Sequence, residues 1–407
     1  MGTRPLSIAF IVRDPLPPLR ADVLTLFGTE LPRHGVHTEL VGQRGGAGDV
    51  RWQGGGVHRV GSLGSRFAGV LSPFWDALGL LRAWCRARPD CIQVRDKIAS
   101  ALLALLAARL LGVPFVYWMS FPIVEGFEAR RDALAARGRG VSWCGHALRA
   151  AASRPLLYRL VLPRADHLFV QSEAMRDWLA GQGIENGRMT AVPMGVDAAL
   201  FERATIAPSP DPRLDGRRVV LYLGRIAQSR RSGFLLDVAE LLRAALPEVL
   251  LVIAGDAPSP DEMAWMREAI ASRGLTHHVL LTGWLAQREA LGYAVRAEVG
   301  LSPIPRGSLF DVSSPTKLVE YLALGIPGVA NDIPDQARVI ADSGAGLCVP
   351  MEAPAFAAAV RRLLHEPGLA AACGARGPAW VRAHRSYAIL GRVVAEAYAG
   401  ILAGRGA

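Results

Sequence analysis

Several residue types are scarce in this 407-residue sequence, and each scarcity excludes classes of protein. The five cysteines are an odd number and form no Cys-x-x-Cys pair. This argues for a reducing compartment and against both a disulfide framework and a zinc cluster. Of 46 basic residues only two are lysines, Lys97 and Lys317. Half of the residues are hydrophobic and a fifth are charged, which excludes a disordered chain and predicts a globular one.

No segment is apolar for long enough to predict a membrane span. The most apolar stretch, 98–117, is interrupted by Arg109, Gly112 and Pro114, so we expect a helix ending near residue 111 followed by a strand at 113–119. Residues 1–12 lack the basic start of a secretory signal, and 6–12 is typical of a buried first strand. The sequence therefore predicts a cytoplasmic protein.

The net charge of +10 is concentrated in the first half of the chain. Residues 1–201 carry 24 Lys plus Arg against 16 Asp plus Glu, whereas residues 202–407 carry 22 against 20. A basic half favours an anionic partner such as the inner face of the cytoplasmic membrane or a lipid diphosphate. Nucleic acid is not expected, because aromatic residues are not interleaved with the basic ones. A solvated arginine-rich surface explains the charge equally well.

Short apolar runs alternate with longer helical patterns, which predicts parallel sheets covered by helices on both faces. A Pro-, Asp- and Gly-rich segment at 200–217 is typical of a linker. We predict an α/β fold of two doubly wound, Rossmann-like domains, 1–198 and 199–385, facing each other across a cleft, and a terminal helix at 386–407. The predicted strands are 6–12, 37–41, 91–94, 113–119, 166–170, 189–192, 219–223, 249–254, 279–282, 299–301 and 328–330.

The most informative segment is Asp311-Val-Ser-Ser-Pro-Thr-Lys-Leu-Val-Glu-Tyr. Ser314 is a suitable N-cap and Pro315 a suitable first helical residue, so we expect a helix to begin there. Lys317 then occupies the third helical position, where a cation is unfavourable by about 0.3–1 kcal/mol unless an anion joins it. The free N–H groups of Thr316 and Leu318 together with the ammonium predict an anion site, and a diphosphate fits it.

Glu320 lies one turn further along the same helix, among apolar residues. A carboxylate in such surroundings needs a partner. One hypothesis is that it accepts hydrogen bonds from the two ribose hydroxyls of a nucleotide. The alternative, an intrahelical ion pair with Lys317, contributes only about 0.2–0.5 kcal/mol, which is too little to offset burial.

Two predicted strands of the second half end in glycine followed by a charged residue. Gly224 and Arg225 follow one strand, with Arg230 and Arg231 shortly after, and Gly255 and Asp256 follow the next. Ligands of doubly wound folds bind at the carboxyl ends of strands, where these cations could neutralise a diphosphate. The absence of any Asp-x-Asp pair is consistent with binding that needs no metal or other cofactor. Solvated loop arginines are the alternative.

At these residues the chain resembles a known family. The segments that carry the likeness are YLGRIAQSRR, LVIAGDAP, VLLTGWL and SSPTKLVEYLALGIP. In this order and spacing they resemble the C-terminal domain of family-4 glycosyltransferases of the GT-B fold. AVPMGVDAALF resembles the hinge of that family, and PRADHLFVQSEAMRDWL the strand and helix upstream of it. The likeness covers roughly 163–350 well and the first 160 residues poorly.

The resemblance implies a retaining, metal-independent transferase that moves a sugar from a nucleoside diphosphate sugar to a glycan or lipid-linked acceptor. The terminal helix would cross back to the first domain. Arg225, Lys317 and Glu320 would act in catalysis, with Glu320 on the ribose, and Ser120 and Arg13 would face the acceptor. The donor would be bound by Gly224, Arg230, Arg231, Gly255, Asp256, Ser314, Pro315, Thr316 and Leu318.

The sequence departs from the family pattern at three places. The first of two glutamates common in the family would fall at Val312, with Asp311 adjacent but out of register. The glycine-rich loop after the first strand is replaced by Arg13-Asp-Pro-Leu, and Ser120 stands where a histidine is often found. Two other readings therefore stay open at this point, a catalytically silent nucleotide-sugar-binding subunit and a sugar-nucleotide epimerase of the same fold.

A second basic segment, 147–162, carries three arginines among leucines. It is typical of a helix on a membrane surface or of a helix packed beside the predicted cleft. His277 and His278 precede a predicted strand without further ligands nearby in sequence, so we expect no metal there.

Overall fold

The computed structural model describes residues 4–16, 18, 20–45, 52–62, 64, 68–135 and 138–404. The chain forms two compact units. Unit 1 consists of Met1–Pro193 together with Tyr387–Ala407, and unit 2 of Met194–Ser386. Each unit contains one fully parallel sheet, of seven strands in unit 1 and six in unit 2, which confirms the predicted α/β class with two Rossmann-like domains.

The sheet of unit 1 has the strand order β3-β2-β1-β4-β5-β6-β7. Its strands are β1 (Leu6–Ile11), β2 (Val36–Arg44), β3 (Val57–Ser62), β4 (Cys91–Arg95), β5 (Phe115–Met119), β6 (His167–Val170) and β7 (Met189–Ala191). A π-helical segment, Asp22–Glu30, runs into α1 (Leu31–Arg33). The other helices are α2 (Ala68–Ala87), α3 (Ile98–Leu111), α4 (Ile123–Ala135), α5 (Val141–Pro155), α6 (Leu162–Arg164), which follows a π-helical turn at Leu156–Val161, and α7 (Glu173–Ala180).

The sheet of unit 2 has the strand order β10-β9-β8-β11-β12-β13. Its strands are β8 (Arg218–Leu223), β9 (Val249–Ala254), β10 (Val279–Gly283), β11 (Val299–Ser302), β12 (Gly328–Asn331) and β13 (Gly346–Val349). Its helices are α8 (Phe234–Ala245), α9 (Pro260–Ser272), α10 (Gln287–Ala294), α11 (Thr316–Ala323), α12 (Pro334–Ser343), α13 (Ala353–His365) and α14 (Pro367–His384).

Helices cover both faces of the unit 2 sheet. Along β9, Leu251 and Ile253 belong to one buried cluster, whereas Leu250 and Val252 belong to another. Because side chains alternate along a strand, a strand buried on both faces is apolar throughout. This explains why the continuous apolar run at 249–254 predicted the strand with the bounds that the structure has.

The last helix, α15 (Tyr387–Ala403), belongs to unit 1. Its buried residues Tyr387, Leu390 and Val394 share a core cluster with Phe10 and Phe27. Residues 405–407 of the predicted terminal helix lie outside the described residues. None of the helices described has both the length and the apolar content that crossing a membrane requires.

The segment at 200–217 does not behave as a free linker. Phe201 and Leu214 are buried in a core cluster of unit 2. The Ser209 amide donates to Gly292 O at 2.9 Å, and the Tyr293 hydroxyl donates to Asp211 at 2.7 Å. The apolar residues on either side of its prolines give this segment enough buried contact to pack on the unit, so the linker interpretation is wrong for these residues.

Candidate functional site

Two glycine turns lie side by side at the carboxyl edge of the unit 2 sheet. Gly224 follows β8 and its N–H donates to Ala254 O at 3.0 Å, while Ile226 N–H donates to Asp256 O at 3.0 Å. A Cβ on Gly255 would lie 2.0 Å from Gly224 O. Only glycine therefore permits the two turns at the ends of β8 and β9 to approach so closely.

Lys317 reaches the same edge from α11. Its ammonium lies 4.4 Å from the centre of the Tyr222 ring and 3.4 Å from the Tyr222 hydroxyl. A Cβ on Gly224 would come within 3.4 Å of Nζ. The cation thus sits over an aromatic face and beside the Gly224 turn, and no described carboxylate lies within ion-pair distance of it. The structure brings together Gly224, Gly255 and Lys317, which the sequence had singled out separately.

Helix α11 begins later than the sequence predicted. Thr316 is its first residue, and Pro315 is extended in the N-cap position with no side-chain cap. Ser314 is therefore not the N-cap, and Lys317 is the second rather than the third helical residue. The hydroxyl of Ser314 is held inside the unit, where it donates to Asp335 at 2.8 Å. Ser314 also precedes Pro315, and the residue before a proline is biased away from helical backbone.

Glu320 has no ion-pair or side-chain hydrogen-bond partner among the described residues, so the intrahelical pair with Lys317 does not form. Burial raises the pKa of Glu320 to about 7, against the opposing pull of Lys317. The side chain keeps partial exposure. A carboxyl group of this kind is ready to accept hydrogen bonds from a ligand that brings its own donors.

Tyr321, which the sequence analysis did not single out, anchors α11 to the sheet. Its hydroxyl accepts a hydrogen bond from Leu223 N–H at 2.7 Å and donates to Leu301 O at 3.1 Å. A Cβ on Gly300 would lie within 2.3 Å of the Tyr321 ring. The ring therefore fixes the height of α11 over the ends of β8 and β11. Its position next to Glu320 is the only signal that the sequence offered.

The three predicted loop arginines lie at the surface. Arg225, Arg230 and Arg231 are exposed, and their guanidinium groups have no described hydrogen-bond or ion-pair partner. Arg231 adopts the left-handed conformation (φ 52°), which orders the turn before α8. The Asp256 carboxylate accepts from Ala257 N–H at 2.8 Å, as a turn residue does.

In unit 1, the predicted acceptor residue Ser120 is buried at the carboxyl end of β5. Its N–H donates to Asp96 at 2.9 Å, its hydroxyl contacts the same carboxylate, and Arg95 Nε donates to that hydroxyl at 3.2 Å. Asp96 has a left-handed backbone (φ 50°), and burial raises its pKa. Strained backbone at a buried carboxylate is a frequent mark of a functional position, yet the sequence analysis missed Asp96.

Behind Asp96, Arg95 is almost fully buried and donates to Asp22 at 2.5 Å. Burial opposes ionisation of Asp22, but Arg95 and Arg20 together hold its pKa well below the usual range. Arg13, the other predicted acceptor residue, is exposed after β1. No group of three His, Cys, Asp or Glu side chains suited to a metal ion occurs within the described ranges.

Comparison with known proteins agrees with this architecture. The family described as Glycosyl transferases group 1 matches residues 217–366, and the Glycosyl transferase 4-like domain matches residues 22–195. Together the two matches cover the sheet of unit 2 and every strand of the unit 1 sheet except β1. The chain belongs to the family-4 glycosyltransferases of the GT-B fold.

Two sequence relatives of this glycosyltransferase have assigned activities. The α-D-kanosaminyltransferase of Streptomyces kanamyceticus is 30% identical over 283 residues, or 67% of this chain and 66% of the relative. A GDP-mannose-dependent α-(1-6)-phosphatidylinositol monomannoside mannosyltransferase of Mycolicibacterium smegmatis is 27% identical over 290 residues, or 69% of this chain and 72% of the relative. The alignments thus span about two thirds of the relatives' length.

Solved structures show the same fold at low identity. Sucrose-phosphate synthase from Thermosynechococcus elongatus has a TM-score of 0.72 at 18% identity, with 98% of this chain and 100% of that chain covered. Anabaena HepE, solved in complex with UDP and glucose, has a TM-score of 0.67 at 15% identity, with 97% and 99% covered.

The glycosyltransferase lacks a free acid where the first family glutamate would stand. Val312 is buried, and Asp311 accepts from Arg306 Nε at 2.9 Å and from Gly307 N–H at 3.2 Å. The Asp311 carboxylate is thus bonded within its own loop, whereas Glu320 has no ion-pair or side-chain hydrogen-bond partner in the part of the chain that the structure describes.

Proposed function

We propose that this glycosyltransferase is retaining and metal-independent, and that its donor is a nucleoside diphosphate sugar bound by unit 2. The observation that carries the proposal is the convergence of Lys317, Gly224 and Gly255 at one sheet edge. An ammonium beside two close glycine turns and a helix N-terminus is suited to a diphosphate. The presence of UDP in the HepE structure supports this class of donor.

In this proposal each group has a separate role. Lys317 and Arg225, with Arg230 or Arg231, neutralise the diphosphate, and Glu320 accepts hydrogen bonds from the ribose hydroxyls. The acceptor oxygen bonds to the anomeric carbon as the bond from that carbon to the phosphate oxygen breaks. The acceptor proton passes to the departing diphosphate, so no separate base is required. Electrostatic stabilisation of that leaving group supplies most of the rate.

The retaining outcome has support from the relatives. Both relatives described above are named for forming α-glycosides, and one is named for its dependence on GDP-mannose. An α-linked donor that gives an α-linked product retains its configuration. Metal independence has support from the cations of the protein itself, because the three that are assigned here to the diphosphate exceed its two negative charges in number.

We further propose a lipid-linked or glycan acceptor bound by unit 1, at the inner face of an anionic cytoplasmic membrane. Residues 121–164, which include α4 and α5, contain eight arginines and three acidic residues. Val141 and Leu148 of α5 are 91% and 73% exposed. Exposed apolar residues among arginines favour an anionic lipid surface. On the inward side, Arg154 donates to Glu125 and Glu128, so α5 also packs against α4.

A thermal-shift screen against UDP, GDP, ADP and dTDP and their sugar conjugates tests the donor proposal. Stabilisation by one nucleotide family, rising with concentration as linkage requires, is the expected result and identifies the base. Unchanged melting with every nucleotide would contradict the proposal. Sugar transfer from the stabilising conjugate, followed by the anomeric configuration of the product, then tests retention, and the same assay with a chelator tests independence from metal.

A further inference from the structure

The loop that leads from β11 to α11 is fixed at both ends by neighbouring residues of one helix. This loop, residues 303–315, carries the chain from the sheet to the helix that holds Lys317 and Glu320. Gln336 of α12 anchors its beginning and Asp335, the preceding residue, anchors its end. Both side chains are buried.

The beginning of the loop is held by amide side chains. Asn331 accepts from Ile304 N–H at 2.7 Å and donates to Ile304 O at 2.9 Å. Gln336 donates to Ser302 O at 3.1 Å. Ser302, Asn331 and Gln336 have no exposed surface, so these bonds are shielded from competing water.

The end of the loop is held through the hydroxyl of Ser314. This hydroxyl donates to Asp335 Oδ2 at 2.8 Å and accepts from Met194 N–H at 3.0 Å and from Arg385 Nη1 at 3.2 Å. A serine hydroxyl offers one donor and two acceptor positions, so all three are used. Ser314 therefore has no hydrogen-bonding capacity left for a ligand, and any effect on donor binding must act through position.

Arg385 and Asp335 complete the cluster. Arg385 Nη2 donates to Asp335 Oδ1 at 2.6 Å, and both side chains are 7% exposed. Arg385 Nη1 also lies 3.4 Å from Met194 O, and Val196 N–H donates to Arg385 O at 2.9 Å. Met194 and Ser386 are the first and last residues of unit 2. One buried ion pair thus joins the entry and exit of the unit to Ser314, the residue that precedes the N-cap of α11.

We infer that Ser314, Asp335 and Arg385 are positioning residues that set the N-terminus of α11, and with it Lys317, for a nucleoside diphosphate. The inference rests on the proposed function, since it concerns the donor site. The buried Arg385–Asp335 pair could stabilise unit 2 without contacting Ser314. Both of its side chains nevertheless bond to the Ser314 hydroxyl, directly before the N-cap of α11. The three residues touch no donor atom and act through the backbone at 314–318.

Ser314→Ala compared with Ser313→Ala provides the test. Ser313 is the adjacent residue, and its hydroxyl donates to Phe310 O at 2.6 Å within the loop. Both variants therefore remove one serine hydroxyl, but only Ser314→Ala removes the hydroxyl that contacts Asp335 and Arg385. Dissociation constants for UDP and GDP are measured by calorimetry well below the melting temperature of each variant. We expect Ser314→Ala to weaken binding by about tenfold relative to Ser313→Ala, and Ser314→Thr, which restores a hydroxyl, to recover most of the loss.

A second comparison removes the bidentate geometry while keeping the charge. Arg385→Lys cannot contact Asp335, Ser314 and Met194 together, so we expect weaker nucleotide binding. Its control is Arg218→Lys, because Arg218 pairs with Glu298 at 2.6 Å at the opposite, amino end of β8. This comparison stands even if Ser314→Ala fails to fold.

The outcomes separate the two proposals. Wild-type protein that binds none of UDP, GDP, ADP and dTDP would overturn the proposed donor site, and with it this inference. Wild-type binding that persists unchanged in Ser314→Ala and Arg385→Lys, with only the melting temperature lowered, would overturn the positioning role and leave the donor site intact.

Discussion

The ammonium of Lys317 lies over the Tyr222 ring, 4.4 Å from its centre. Tyr222 belongs to β8 and Lys317 to α11, 95 residues apart. The ring gives the cation a favourable place when no anion is bound, because the face of an aromatic ring attracts positive charge. An approaching diphosphate therefore meets a cation already held at the sheet edge, which lowers the ordering cost of binding.

Replacement of Lys317 tests its role as a phosphate ligand. Lys317→Ala removes the ammonium beside the Gly224 turn, and we expect nucleoside diphosphate binding to weaken at least about tenfold, or 1.4 kcal/mol. Lys317→Arg is the matched variant, since it keeps the charge but places a larger group where Gly224 leaves little space. Calorimetric titration with UDP and GDP measures both. Equal affinity of Lys317→Ala and wild type would place the diphosphate elsewhere.

Gly224→Ala tests the close approach of turn and cation. Gly224 has φ +140°, and an added Cβ would lie 3.3 Å from Lys317 Cε. We expect a loss of folding stability of about 1–2 kcal/mol together with weaker nucleotide binding. Gly216→Ala is the control, because Gly216 also has a positive φ (+68°) but open space around its Cβ position. It should lose stability on heating while its nucleotide affinity stays at the wild-type value.

The arrangement of strands was predictable where burial dictates the sequence. Strand β9 is buried at all six positions, and its apolar run gave the correct bounds. The two strands that the sequence analysis missed, β3 and β13, lie at sheet edges. Among the six residues of β3 only Val60 is buried, so no apolar pattern marks the strand. Hydrogen bonding to one neighbouring strand, rather than burial, holds such segments.

The sequence predicted which residues lie at the candidate site, but not which side chains bond to one another there. Strand ends and a helix start placed Gly224, Gly255 and Lys317 at one edge. Asp335 and Arg385 could not be found in this way, since the hydroxyl of Ser314 meets them only after α12 and the end of α14 have packed. The same tertiary contacts explain why Ser314 is not the N-cap that its local sequence suggested.

The membrane proposal is tested with charge variants of exposed arginines. Arg130 and Arg139 lie in or near the α4–α5 segment, and each basic residue near an anionic surface contributes about 1 kcal/mol. We expect Arg130→Gln with Arg139→Gln to reduce binding to phosphatidylserine vesicles by at least about tenfold at low salt. Arg288→Gln with Arg361→Gln, two exposed positions of unit 2, is the charge-matched control. Identical sedimentation of the two double variants would argue against this surface.

Glu320→Gln should separate donor binding from stability. Burial raises the pKa of Glu320 to about 7 from 4.5, so the folded state holds a proton that the unfolded state releases between these values. The wild type therefore loses stability as pH rises from about 4.5 to 7, up to about 2–3 kcal/mol, whereas a glutamine has no such dependence. We expect Glu320→Gln to match the wild type in denaturant unfolding near pH 4.5 and to be more stable at pH 8.

The same variant should bind nucleoside diphosphates at least about tenfold more weakly at pH 8. A carboxylate accepts hydrogen bonds from both ribose hydroxyls, while the glutamine amide offers one acceptor atom. Titration with the 2′,3′-dideoxy nucleotide is the control, since a ligand without ribose hydroxyls should bind wild type and Glu320→Gln alike. A variant more stable at pH 8 yet unchanged in affinity would show that Glu320 is merely buried and that the ribose binds elsewhere. Gain of stability with loss of affinity is the combination expected of a carboxyl group retained for a ligand rather than for the fold.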